Sequence, residues 1–320
     1  MKHIFLINPN CGKNFDHESF IRDKIIPACE KNKVDYFIYN TTGPGDATRY
    51  CDEYAKEHPD EKVRFYACGG DGSVYEAVNG MYKYDNAELA VVPIGSGNDF
   101  IKIFGGVEKF LDLDSLIQGK SEKLDLIDCG NGIMSINIAS MGFCAESCAS
   151  QSKMKKYASG HMTYVLAGLT SFKYMKSDMK VIVDGETVTE GPIIFAVCAN
   201  SRFYGSGIKV APFAVPDDGL LDFVIAEPKD MSFFEIVKFL LVDWQKKFTH
   251  VYHKNCKYLR GKEMKIVPKK AGMLNVDGET FPVEEVTLKL LPNAINFVIP
   301  SNSTYLQDRK NNKITNEIKI

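Results

Sequence analysis

Four short apolar runs rich in β-branched and aromatic residues, His3–Asn8, Val34–Asn40, Val63–Cys68 and Leu89–Ile94, are separated by polar stretches of helical spacing near Ser19–Asn32, Asp46–His58 and Gly72–Tyr84. This βαβαβαβ alternation predicts an open parallel sheet with helices on both faces, a design that binds ligands outside the carboxyl ends of its strands. Three runs end in loops of special composition: Asn8-Pro9-Asn10-Cys11-Gly12-Lys13, Gly69-Gly70-Asp71-Gly72-Ser73 and Gly95-Ser96-Gly97-Asn98-Asp99. All three are expected along one sheet edge.

From about Leu124 the texture changes to short β-like segments, among them Ser135–Ala139, Met179–Val183, Ile193–Asn200, Leu221–Ala226, Glu263–Val267 and Val286–Leu290, punctuated by Gly, Pro and Asp. The expectation is an α/β domain over 1–125 and a mostly antiparallel β domain over 126–300, with the tail 301–320 fraying or packing back on the first. Helices are expected around Met154–Met175 and Met231–Phe248. The second opens with Ser232 and Glu235 in capping-box spacing and places Phe233, Ile236, Val237, Leu240, Leu241, Trp244 and Phe248 on one stripe. Phe234, Phe239 and Val242 fall outside it, so a second apolar face turned to lipid, helped by Lys246 and Lys247, is the alternative to a plain core stripe.

The 320 residues suit two domains, and 45% apolar with 25% charged residues is globular composition. Nine scattered cysteines without CxxC pairs indicate neither a disulfide framework nor a zinc site. No apolar run reaches the roughly 18 residues that cross a bilayer, and Met1-Lys2-His3-Ile4 leads straight into a strand, so a cytoplasmic protein is expected. Residues 1–125 carry 15 Lys/Arg against 21 Asp/Glu, and 126–320 carry 24 against 20. The basic bias of the second part suits an anionic membrane surface and is too small to indicate nucleic acid.

Gly69–Ser73 follows a strand and opens a helix, so phosphates can approach backbone N–H groups at the positive helix end. Asp71 is the odd component: an acid there repels phosphate unless a cation such as Mg²⁺ or Lys13 intervenes, or it is simply the helix cap. Asp217-Asp218-Gly219 reads as a turn, and Asp277-Gly278 reads as a hairpin turn.

The run Cys68–Gly80 (CGGDGSVYEAVNG), with INPNCGK at 7–13, VPIGSGNDF at 92–100, ANSRFYGSGIKVAPFAVPDDGLLDFVI at 199–225 and VDGET at 276–280, resembles the diacylglycerol kinase catalytic-domain family. Phosphofructokinases and NAD kinases share the GGDG loop; Asn98-Asp99-Phe100 looks like the lipid-kinase form. Serine stands at 73 and 96 where the family usually has threonine, and Ser206 replaces a usual glycine.

The resemblance implies an NAD-kinase- and phosphofructokinase-like first domain, with ATP held by Asn8, Gly12, Lys13, Thr41, Gly69, Gly70, Asp71, Gly72, Ser73, Glu76, Gly95, Ser96, Asn98 and Asp99. It implies Mg²⁺ on the Asp218 carboxylate and the carbonyls of Leu221 and Phe223, and Asp277 as general base. Glu279, on the same face if the segment is extended, would orient Asp277 or share the metal. A lipid alcohol, diacylglycerol by default, is the implied acceptor, reached by transient contact with the inner face of the membrane; the resemblance also admits a homodimer. A kinase of soluble alcohols and a non-catalytic ATP-binding regulator are the competing readings.

Overall fold

Buried apolar strands and the turns between them account for most of the computed structural model, which describes residues 1–12, 15–154, 175–240 and 249–314. Lys13, most of Met154–Met175, and Leu241 to Phe248 lie outside the described residues. The chain divides into two units: Met1–Leu126 with Gly205–Gly207 and Pro292–Thr315, and Ile127–Tyr204 with Ile208–Leu291 and Asn316–Ile320.

In the first unit, β1 (Lys2–Ile7), β2 (Asp35–Asn40), β3 (Val63–Cys68) and β4 (Ala87–Val92) pair in parallel in the order β2-β1-β3-β4. Every residue of the central strand β3 is buried, as a parallel sheet requires. The helices between these strands are α1 (His17–Phe20), α2 (Ile26–Asn32), α3 (Asp46–Glu57) and α4 (Asp71–Met81). The expected helix over Ser19–Asn32 is interrupted by a π turn at Ile21–Ile25, just before Pro27, whose missing N–H cannot enter the ladder. Arg64 points from β3 into the interior, where it pairs with Glu88 at 2.8 Å and donates to the carbonyls of Leu116, Ile117 and Gly119. A buried charge persists because all of its reach is occupied.

Next come β5 (Lys120–Asp128), β6 (Met134–Ser135), β7 (Ile138–Gly142), β8 (Ser177–Val183), β9 (Glu186–Ile193), β10 (Phe195–Ala199), β11 (Phe203–Tyr204), β12 (Ile208–Lys209), β13 (Leu221–Ala226), β14 (Cys256–Gly261), β15 (Glu263–Pro268), β16 (Gly272–Val276), β17 (Glu279–Val283) and β18 (Val286–Ile299). In the second unit one antiparallel sheet runs β14-β13-β10-β7-β16-β17, and β15 pairs with the first part of β18 on one side and with β8 on the other, β8 in turn pairing with β9. The core gathers Ile138, Phe195, Val197, Val224, Ile236, Phe239 and Leu240. The architecture is that of an α/β parallel-sheet domain and a mostly antiparallel β sandwich.

Residues 292–300, expected in the second domain, complete the first unit: Phe297 lies beside Leu89 of β4 and its ring stacks on Phe104 at 5.1 Å. The short helix Tyr305–Lys310 then buries Tyr305 against Phe104 at 4.6 Å. No helix among the described residues is long and apolar enough to cross a membrane.

Candidate active site

β3 delivers Gly69 and Gly70 to the start of α4, and β4 delivers the 95–99 loop beside them. The two loops are locked together: Gly95 N–H donates to Gly69 O at 2.9 Å, and a Cβ on Gly95 would stand 2.4 Å from Gly70 N, so no side chain fits there. Asp71 binds them further. Its Oδ2 accepts from Asn98 N–H at 3.0 Å and its Oδ1 from Asp99 N–H at 2.9 Å. Gly97, at φ +92°, passes so close that a Cβ would lie 2.1 Å from Asp71 Oδ2. The helix cap is Gly70, not Asp71, and it provides no side-chain hydrogen bond. An uncapped helix N-terminus suits an anion, and the Asp71 charge is turned away from it into loop N–H groups.

Beside this junction is a cleft of roughly 170 Å³ lined by Leu6, Asn8, Asn10, Thr41, Gly43, Pro44, Ala47, Ser73 and Glu76. Four residues expected at the nucleotide, Asn8, Thr41, Ser73 and Glu76, therefore meet in one place. Gly12 reaches the same edge, where a Cβ would stand 2.8 Å from Ile94 O; Gly69, Gly70, Gly72 and Ser96 form the adjoining loop walls. Glu76 is not free to bind ligand: it accepts from Gly45 N–H at 2.9 Å and Ala47 N–H at 3.2 Å, holding the start of α3. Pro44 and Gly43 were legible only as the frame of Thr41, yet they line the cleft. Asp46 anchors that loop by accepting from Thr42 N–H at 2.8 Å, and hydrogen bonds from Thr42, Arg49 and Tyr39 hold its carboxyl down at about 2 against burial.

Asp99 faces the other way. Its carboxylate pairs with Lys102 and accepts from Ser206 N–H at 2.8 Å. Ser206 sits at φ +67° between two positive-φ glycines, a strained backbone for a residue with a Cβ, and the hydrogen bond to Asp99 helps to hold it. Sequence reasoning missed both partners, since no spacing signals them.

In the second unit Asp277 and Gly278 are the two central residues of a tight hairpin, both at positive φ, with Val276 of β16 opposite Glu279 of β17. The segment is therefore not extended, and the expected common face of Asp277 and Glu279 does not exist. The Asp277 carboxyl turns inward and accepts from Ser135 Oγ at 2.7 Å and from the N–H groups of Ile136 at 2.9 Å, Asn137 at 3.2 Å and Ile138 at 2.8 Å. Burial raises its pKa, and these donors oppose the rise. They also explain why the strand expected over Ser135–Ala139 is broken at Ile136–Asn137. The Glu279 side chain is exposed and makes no hydrogen bond or ion pair with any described residue.

The donors expected for Mg²⁺ do not assemble as open oxygens. Asp218 Oδ1 accepts from Leu220 N–H at 3.0 Å, and Arg260 Nη1 stands 3.9 Å from its Oδ2. Phe223 has strand neighbours on both sides, Cys198 and Leu259, so its carbonyl is taken into the ladder; Leu221 has only Gly261. As a three-donor set these residues do not fit the ion. The organising acid of this segment is instead Asp222, fully buried, which accepts from Tyr258 Oη at 2.6 Å and Arg260 Nε at 2.9 Å. Burial pushes its carboxyl up to about 6 despite Arg260. Among the described residues no cluster of three or more His, Cys, Asp or Glu is arranged to hold a metal.

Residues 2–129 match the diacylglycerol kinase catalytic domain, and residues 137–299 match the YegS C-terminal NAD kinase beta sandwich-like domain. Over 294 residues the chain is 30% identical to the "Probable lipid kinase YegS-like" of Alcanivorax borkumensis, covering 90% of this chain and 94% of that one. The chain belongs to the diacylglycerol kinase family. This lipid kinase is also 26% identical over 284 residues to the diacylglycerol kinase of Bacillus subtilis, covering 87% and 90% of the two chains. Its fold matches the crystal structure of a diacylglycerol kinase from Bacillus anthracis with a TM-score of 0.66 at 19% identity, over 93% and 96% of the chains. The kinase's interlocked glycine loops fall in the catalytic-domain match, and its Asp277–Glu279 hairpin falls in the second.

Proposed function

We propose that this lipid kinase transfers the γ-phosphoryl group of ATP, taken up with its Mg²⁺, to the hydroxyl of diacylglycerol. The observation that carries the reading is the cleft where Asn8, Thr41 and Ser73 converge beside the uncapped start of α4. It offers neutral hydrogen-bonding groups and a positive helix end to a polyphosphate. In the transfer, the acceptor oxygen bonds to the γ-phosphorus as the bond to the bridging oxygen of the leaving ADP breaks. The hydroxyl proton passes to a carboxylate. Glu279 is the acceptor we favour, because it is exposed and unengaged while all of the Asp277 carboxyl is committed to four donors. Asp277 then acts through position: it fixes the turn that presents Glu279.

The test is transfer of labelled γ-phosphate to a panel of lipid alcohols in mixed micelles. Diacylglycerol should be labelled. Glu279→Gln should lower kcat by about 10²-fold or more with ATP binding retained, while Asp277→Asn should lose folding stability as well as turnover. If Glu279→Gln turns over normally and Asp277→Asn is inert yet as stable as wild type, Asp277 is the base. Labelling of a soluble alcohol without any lipid would overturn the lipid acceptor.

A further inference from the structure

Of the six exposed large hydrophobic side chains among the described residues, Phe233 and Phe234 are consecutive at the start of one helix of the second unit, and Phe234 at 82% is the most exposed of the six. The aromatic pair is not on a fraying end. Ser232 and Glu235 close a reciprocal capping box, with Glu235 Oε2 accepting from Ser232 N–H at 2.7 Å. Ile236, Phe239 and Leu240 are buried beneath it, with Phe239 packed on Phe195 at 6.3 Å and on the His253 ring at 5.2 Å. The helix Phe233–Lys238 is thus fastened from below while the Phe233 and Phe234 rings, edge to face at 5.9 Å, point outward. Two adjacent exposed phenylalanines on a capped and fastened helix form a contiguous apolar patch, the kind of surface that marks an interaction site.

The charges around the pair are mainly basic. Lys238 follows Phe234 by four residues and so shares its helix face. Lys254 lies close enough to Glu235 to act on its charge, and the backbone carbonyl of Lys229 accepts from Asn255 Nδ2, beside Lys254. All three lysines are exposed. Of the two exposed acids nearby among the described residues, Glu235 is turned back into its capping box, which leaves Asp230. Apolar rings that enter the acyl boundary, ringed by long cationic side chains that stay at the headgroups, are the chemistry of an interfacial anchor on anionic lipid.

We propose that the Phe233–Phe234 corner, with Lys229, Lys238 and Lys254, is the surface on which the protein settles on an anionic bilayer. The inference rests on the lipid-kinase reading, since an acceptor dissolved in a membrane has to be met there. The experiment is co-sedimentation of the full chain with phosphatidylglycerol–phosphatidylcholine vesicles and with pure phosphatidylcholine vesicles, at low and high salt. It is run beside kinase assays on a short-chain diacylglycerol dispersed as monomers.

Wild type should bind the anionic vesicles, less so in salt. Phe233→Ser/Phe234→Ser and Lys229→Gln/Lys238→Gln/Lys254→Gln should each weaken partitioning by about tenfold or more, with thermal unfolding and activity on the monomeric lipid unchanged. Undiminished binding by both variants, or a loss of self-association in place of vesicle binding, overturns the surface. Absence of wild-type activity on the monomeric lipid overturns the functional reading instead, whatever the vesicles show.

Discussion

Asp71 shows how one carboxylate can serve an anion site without touching the anion. Two N–H groups from consecutive residues, Asn98 and Asp99, converge on its two oxygens, and the left-handed Gly97 brings them there. Charge-assisted hydrogen bonds of this kind are about twice as strong as neutral ones, so the loop beside the nucleotide cleft is held by the acid that sequence reasoning set against a phosphate. Asp71→Asn retains one acceptor oxygen and turns an NH₂ group toward a backbone donor. It should cost about 1–3 kcal/mol of stability and raise KM for ATP by about tenfold, one interaction's worth at about 1.4 kcal/mol per decade, with a smaller effect on kcat. Kinetics against ATP at saturating lipid, together with thermal unfolding, checks this. An unchanged KM would show that loop order does not depend on the carboxylate.

At the scale of elements, what was legible was what is local. The capping box Ser232–Glu235 needs only a spacing of three, and it forms as read. Ser232→Ala should therefore cost about 1 kcal/mol, seen as a lower unfolding midpoint in urea with an unchanged slope, and it should free the Phe233–Phe234 corner to fray. The same helix defeats the stripe argument. Phe233, read as core, is 56% exposed, and Phe239, read as off the stripe, is 1% exposed, because Phe195 and His253 come from distant segments to cover it. The glycine loops were legible because close approach leaves a composition mark. The hairpin at Asp277-Gly278 was legible as a turn, but Ser135 to Ile138, whose donors fill the Asp277 carboxyl, carry no mark of it. For the same reason nothing in the sequence marks Asp222: its burial beside Tyr258 and Arg260 is a long-range fact.

At the scale of the whole molecule, the first unit is built from distant stretches of chain, with Phe297 and Tyr305 returning to the core begun by β1, β3 and β4. Its interior also contains a group that makes its stability depend on pH. His3 of β1 is 5% exposed, and its Nδ1 meets Tyr66 Oη at 2.7 Å. Burial, then the Arg64 charge, holds its imidazole down at about 4 against an ordinary 6.5. The folded protein thus keeps His3 neutral in a range where the unfolded chain binds a proton. Stability from this group is complete above about pH 7 and is lost as pH falls toward 4. Between pH 7.5 and 4.5 the loss from His3 alone should be about 2.5 kcal/mol. Urea unfolding at both pH values, for wild type and His3→Gln, isolates it, because any fixed cost of the substitution cancels within each protein. His3→Gln should lose about 2.5 kcal/mol less than wild type over that interval. Equal losses would mean that the imidazole titrates alike in the folded and unfolded chain, and that the acid sensitivity of the first unit lies in its carboxylates.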